Sequence, residues 1–174
     1  MVDQSTSEPL ALVVMGVQGS GKSTIGRLLA ERLGAAFIDG DDLHTPAAKA
    51  KMASGAPLDD DDRRPWLQLI AAKMAESVEA GAPIVVACSA LKRSYRDLMR
   101  ERVPSLGFAH LDGDKHLIAQ RLTQRDHEYM PPTLLDSQFQ TLEPLGDDES
   151  GTTISLVRSP DEIVDALAES FGGR

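Results

Sequence analysis

A single cysteine among 174 residues leaves no partner for an internal disulfide and argues against a cysteine-built zinc site. Basic residues are also scarce: Lys and Arg total 18 against 27 Asp and Glu, a formal net charge of −9. That balance argues against general binding to nucleic acid, whose phosphate backbone selects basic faces. A small anionic ligand is still allowed, because it responds to local charge. No apolar run approaches the roughly 20 residues of a membrane helix, so no membrane partner is expected. The stretch 1–9 ends Ser7-Glu8-Pro9 and holds neither Lys nor Arg nor an apolar run, which predicts a disordered tail and not a signal peptide. No internal repeat is present. With an ordinary hydrophobic share of 41%, the remainder (10–174) predicts one soluble domain in a reducing, cytoplasmic setting. A fold of this size buries roughly 70% of its unfolded surface and needs no staples.

What is present is alternation. A continuous apolar run at 10–15 predicts a strand buried on both faces, and 36–38, 84–88, 108–111 and 154–157 predict four more strands. Helical patterns lie between them. Ile25, Leu28, Leu29 and Leu33 share one face of a helix that stops at Gly34. Pro65 is placed as a first helical position, ahead of Trp66, Leu69, Ile70, Lys73 and Met74, with a stop near Gly81. Tyr95, Leu98, Met99 and Arg102 mark a further helix. Leu117, Ile118, Arg121 and Leu122 mark the next, which Pro131-Pro132 breaks. Residues 134–142 look helical again, 146–151 form an acidic loop, and Ile163, Val164, Leu167 and Phe171 face inward from a last helix. The fold class is therefore α/β, a five-stranded parallel sheet flanked by helices.

Gly16-Val17-Gln18-Gly19-Ser20-Gly21-Lys22-Ser23 fits G-x-x-x-x-G-K-[ST] completely, with a strand before it and a helix after it. The glycines let the backbone curl so that successive N–H groups face phosphate oxygens, and the helix start adds its positive dipole end. Such a P-loop predicts a nucleoside triphosphate contacted by Gly16, Gln18, Gly19, Ser20, Gly21, Lys22, Ser23 and Thr24. Lys22 reaches the β- and γ-phosphates, and the Ser23 hydroxyl is a ligand for Mg²⁺. The chain has no guanine-reading N-K-x-D pattern, which disfavours a GTPase switch. No strand ends in the paired Asp-Glu of many motor ATPases.

The second strand delivers Asp39-Gly40-Asp41-Asp42-Leu43-His44 at its C-terminal end, the ligand crevice of a doubly wound sheet. Two carboxylates spaced i, i+2 can divide the labour: one holds a metal while the other orients or deprotonates an acceptor hydroxyl. Asp42 reads as the surface member. Trp66 reads as core, and Cys88 as a buried strand cysteine with no local base.

Here the chain resembles the gluconate kinases. The stretch 37–44 is similar to their F-[IL]-D-G-D-x-L-H, and 51–67 to K-M-x-x-G-x-P-L-x-D-x-D-R-x-P-W-L. The stretch 88–98 follows C-S-A-L-K-[KR]-x-Y-R-D-x-L, and Ser137-Gln138-Phe139 with Thr141-Leu142-Glu143 follows S-Q-F-x-x-L-E. The resemblance runs from about Leu12 to the last helix. It implies the P-loop kinase fold of adenylate and shikimate kinases, with a small mobile lid near 123–133. It also implies Mg-ATP-dependent phosphorylation of D-gluconate to 6-phosphogluconate. Members of such families are often dimeric, and no stripe in the sequence marks an interface.

An acidic protein must hold gluconate through a local basic cluster. His44, Lys51, Arg64, Lys92 and Arg96, with Ser89, lie in segments expected around the crevice. Arg64 is the expected carboxylate clamp, because its fork binds both oxygens, while Arg63 suits a surface pair with the run 59–62. The shikimate-kinase arrangement implies Asp39 toward Mg²⁺ and Asp41 toward the hydroxyl. Adenylate-kinase-like enzymes, similar at the i, i+4 pair Arg121 and Arg125, imply stacking of Arg121 on adenine and closure of Arg125 onto the phosphates. Arg158-Ser159-Pro160 then walls the other side of the base. Lys22, Asp41 and Arg125 are the expected catalytic groups. The lid departs from the family's R-x-x-H-F-[MF]: Glu128 and Tyr129 stand where His and Phe are expected, and His127 comes one place early. A shikimate- or nucleotide-kinase-like enzyme is the same-class alternative. A nucleotide-binding regulatory module without turnover is the alternative of another class.

Overall fold

The computed structural model describes residues 8–56, 58–123 and 132–172, so most of the expected tail and most of the expected lid, Arg125 included, lie outside the described residues. The strands are β1 (Ala11–Met15), β2 (Ala36–Asp39), β3 (Ile84–Ala87), β4 (Gly107–Asp112) and β5 (Gly151–Ser155). They pair in the order β2-β3-β1-β4-β5, all parallel. The helices are α1 (Lys22–Leu33), α2 (Pro46–Ala53), α3 (Asp60–Glu79), α4 (Arg93–Arg102), α5 (Lys115–Thr123), α6 (Pro132–Thr141) and α7 (Pro160–Phe171), with a short 3₁₀ turn at Gly40–Leu43. Among the described residues no helix is long and apolar enough to cross a membrane.

Alternation along β1 builds two cores. Leu12 and Val14 join residues of α1 and α7 on one face, including Ile25, Leu29, Val164 and Leu167. Ala11, Val13 and Met15 join Trp66, Ile70, Met74, Tyr95 and Met99 of α3 and α4 on the other. Both faces are covered, which is why β1 reads as an unbroken apolar run. Among the described side chains, the expected helix positions are buried or half-buried with three exceptions: Leu28, Leu69 and Arg102 are exposed.

Two expected boundaries need correction. The last strand is Gly151–Ser155 rather than 154–157. It is an edge strand, exposed at Gly151, Thr153 and Ser155, and so carries no apolar run. A Cβ on Gly151 would lie 2.4 Å from the Phe108 carbonyl, so close backbone approach decides this start. Pro65 is not a first helical position either. Asp59 caps α3, accepting from the Asp62 N–H at 2.7 Å while Asp62 accepts from the Asp59 N–H at 3.0 Å. This reciprocal cap, with carboxylates on the positive end of the helix, places Pro65 in the second turn.

Candidate active site

The C-terminal ends of β1, β2 and β3 form one crevice. After β1, Gly19 and Gly21 adopt φ of 86° and 90°. Gly16 leaves no room for a side chain: a Cβ would lie 2.7 Å from Ser20 Oγ and 3.0 Å from the Leu111 carbonyl. The loop is tethered to the strand beside it, Gly16 N–H donating to the Ser89 carbonyl at 3.3 Å. Gly21 precedes α1, and no side chain caps that helix. Its first N–H groups and its dipole are thus offered to an anion. Lys22 Nζ donates to the Val17 carbonyl at 3.1 Å, curled over the loop it is expected to serve. Ser20 is fully buried beneath the loop.

Asp39 links this loop to the next. One of its oxygens accepts from the Ser23 hydroxyl at 2.7 Å, and the other accepts from the Asp41 N–H at 3.0 Å. Ser23 and Asp39 therefore stand together, while Asp41 presents an exposed carboxylate two residues on. His44 does not begin a helix; it follows the 3₁₀ turn and is buried, stacked on Trp66 with ring centroids 3.9 Å apart. Burial, helped by the charges of Arg63 and Lys49, pushes its pKa down to about 4, so it is neutral at neutral pH. Its Nε2 lies 3.8 Å from Asp41 Oδ1. Cys88 is fully buried, and burial pushes its thiol up to about 12, which agrees with an inert cysteine.

A cleft of about 360 Å³ opens beside the P-loop, lined by Ser20, Gly21, Thr24, Arg121, Arg158 and Pro160 among others. It joins the residues expected to hold the base. Arg121 is fixed there, its Nη2 donating to the Leu156 carbonyl at 2.8 Å.

The expected acceptor cations behave differently. Lys51 pairs with Asp62 at 2.7 Å, and Lys92 pairs with Asp60 at 3.0 Å. Each hydrogen bond raises the lysine pKa; the Lys51 bond lowers that of Asp62, and at Asp60 the Tyr95 hydroxyl lowers it first and the Lys92 bond second. Arg64 is exposed, 3.5 Å from Asp61. Arg63, expected at the surface, is the buried one: its Nε donates to the Leu58 carbonyl and its guanidinium lies over the Tyr95 ring. Arg96 also requires correction. It is fully buried, holds Glu149 through Nε at 2.8 Å and Nη2 at 3.0 Å, and donates to the carbonyls of Ala90, Leu91 and Pro144. All three of its nitrogens are engaged inside the protein, so it braces the β3–α4 loop instead of meeting a substrate.

Residues 12–145 match the family described as an AAA domain. The gluconokinase of Gluconobacter oxydans (strain 621H) is 46% identical over 164 residues, covering 94% of this chain and 92% of that protein. The chain belongs to the gluconokinase family. Two solved structures agree with its fold. A sugar kinase from Janibacter sp. HTCC2649 is 42% identical, covers 94% of this chain and 95% of its own, and superposes with a TM-score of 0.91. A gluconokinase from Sinorhizobium meliloti 1021 is 43% identical, covers 95% of this chain and 91% of its own, with a TM-score of 0.84.

Two residues of the gluconokinase motifs stand closer to the crevice than the sequence reading placed them. Gln138, on α6, accepts from the Gln18 N–H of the P-loop at 2.6 Å, 120 positions away in the chain. Trp66 donates its indole N–H to the Gly40 carbonyl at 2.7 Å. The matching motif was the only signal for Gln138; for Trp66, whose partner is 26 positions away, the sequence signalled core packing and not the donor.

Proposed function

We propose that this chain transfers the γ-phosphoryl group of ATP directly to the terminal hydroxyl of D-gluconate, producing 6-phosphogluconate and ADP. The observation that carries this reading is the Asp39 carboxylate shared between the Ser23 hydroxyl and the Asp41 backbone, which couples the triphosphate loop to an acceptor-facing carboxylate. Gluconate, rather than another acceptor, is supported by membership of the gluconokinase family. The hydroxyl oxygen forms a bond to the γ-phosphorus as the β–γ bridging bond breaks. Asp41 orients that hydroxyl and accepts its proton. Lys22 and the P-loop N–H groups balance the charge that develops on the transferring oxygens. Arg64 and Lys92, with Lys51, Ser89 and His44 around them, hold the acid and its hydroxyls, and Arg121 with Arg158 and Pro160 holds the base.

Ser23 and Asp39 suit Mg²⁺. Both offer hard oxygens, and among the described residues no group of three or more His, Cys, Asp or Glu forms a cage. Mg²⁺ is commonly held by one or two protein oxygens, waters and substrate phosphates. When bound, it would supply charge neutralisation on the phosphates. As an ATP-consuming step of sugar-acid metabolism, the reaction is assigned to the cytoplasm. The test is a coupled ADP-release assay over gluconate, other sugar acids, shikimate and AMP with Mg-ATP. Turnover confined to gluconate is expected; turnover with AMP or shikimate and none with gluconate overturns the assignment.

A further inference from the structure

We propose that Trp66 is a positioning residue for the Asp39–Asp41 turn, acting through its indole N–H and not only through packing. The proposal rests on the roles given above to Asp39 and Asp41. The carbonyl of Gly40 and the N–H of Asp41 belong to one peptide unit. That unit is held at both ends: the carbonyl accepts from Trp66 Nε1 at 2.7 Å, and the N–H donates to Asp39 Oδ1 at 3.0 Å. Asp39 in turn accepts from Ser23 at 2.7 Å. A continuous chain of hydrogen bonds thus runs from Trp66 through the 40–41 peptide to the P-loop serine.

The turn cannot settle inward if that chain is cut. A Cβ on Gly40 would lie 2.6 Å from the Ala87 carbonyl, so the backbone already presses against the end of β3. The remaining freedom is rotation of the 40–41 peptide, which would redirect the Asp41 side chain. The indole face limits that rotation as well, because His44 at the far end of the turn stacks on it with an interplanar angle of 19°. Trp66 itself is 5% exposed and anchored in the α3 core. A buried carbonyl that loses its donor has a strong drive to turn toward water.

Two replacements separate the donor from the packing. Trp66→Phe keeps an aromatic ring against His44 and removes the N–H. Because Trp66 is the one tryptophan in the chain, growth on benzothienylalanine, in which sulfur replaces the indole N–H, changes this position alone and preserves shape. Both proteins are expected to show kcat lowered by about ten- to a hundredfold, since small misplacements of a reacting group have effects of that size. ATP KM should stay near the wild-type value, because the P-loop is untouched. A residue that only packs would lower thermal stability and leave kcat per folded molecule unchanged. If Trp66→Phe fails to fold, the benzothienylalanine protein decides: kcat within about twofold of wild type overturns the proposal. Asp41→Asn is measured beside them. Wild-type turnover in Asp41→Asn overturns the carboxylate assignment and this proposal with it. An inactive Asp41→Asn with a fully active benzothienylalanine protein overturns the positioning role alone.

Discussion

The nucleotide side and the acceptor side of the crevice are built by opposite means. The phosphate-binding part of the nucleotide side is backbone: glycines in special conformations, an uncapped helix start and one lysine, all within a short stretch of chain. The proposed acceptor side draws on side chains of α2 and α3 and on Lys92 just before α4, and its lysines come already paired, Lys51 with Asp62 and Lys92 with Asp60. Backbone dipoles need no counter-charge, so that half can be written locally. Cations gathered in a protein of net charge −9 find carboxylates first. Gluconate must therefore share or displace them, and the carboxylate-capped start of α3 sets how strongly each lysine is held.

The largest effect expected from breaking this contrast lies on the nucleotide side. Lys22→Met removes the only side-chain charge of the loop without opening a core cavity. Phosphoryl transfer should fall by several kcal/mol of barrier, roughly three orders of magnitude or more, with the thermal midpoint nearly unchanged. Near-normal turnover would show that the loop does not act on the transferring group.

Next come the two arginines that the sequence placed in one basic cluster. Arg96→Met leaves Glu149, its side chain 1% exposed, without its bidentate partner. Breaking a buried pair from one end costs about 3–5 kcal/mol when the other charge is left uncompensated; Arg100 and the Gly146 N–H stay on Glu149, so the loss should fall toward the low end of that range, which denaturant unfolding would register. Arg64→Ala should do the reverse. Its pair with Asp61 is exposed, so stability should shift by less than about 1 kcal/mol while gluconate KM rises and ATP KM holds. An Arg64→Ala enzyme with wild-type gluconate KM would remove Arg64 from the acceptor site.

Arg121→Ala tests the base cleft. Stacking is present in ground and transition states alike, so ATP KM should rise, by roughly tenfold, with kcat little altered. A fall in kcat alone would reassign it.

The smallest effect is acid sensitivity. His44 has a folded pKa near 4, below its ordinary 6.5, so between those values the unfolded chain binds the extra proton. Stability should then rise with pH through that window and be lost as pH falls from 6.5 toward 4. His44→Phe keeps a ring on Trp66 and should flatten that decline, as read by thermal midpoints at successive pH values. Glu149 acts lower. Burial alone would raise its pKa, but hydrogen bonds from Arg96, the Gly146 N–H and Arg100 hold it down to about 2, so its contribution is lost only below pH 4.5. An unaltered slope in His44→Phe would mean that burial of this imidazole does not set the acid limit.

Much of this was legible beforehand because its causes are local. A strand buried on both faces must be apolar throughout, and a phosphate loop must carry glycine where φ is positive. The fifth strand was expected, but the bounds of β5 escaped because its exposed side leaves no apolar run to mark its start. The cap of α3 escaped because four consecutive aspartates hide which one is the cap; only the reciprocal bonds of Asp59 and Asp62 decide it.

What the chain could not disclose alone concerns partners far apart in sequence. Arg63 and Arg64 are chemically identical neighbours, yet a helix turns about 100° between them, and packing against Tyr95 buries one while solvent keeps the other. Arg96 looks like any motif arginine until Glu149, 53 positions later, is folded against it. Trp66 reads as core until the Gly40 carbonyl arrives at its N–H. Periodicity and local backbone chemistry are properties of a segment, so residue order carries them; the partner of a buried charge or donor is a property of the packed whole.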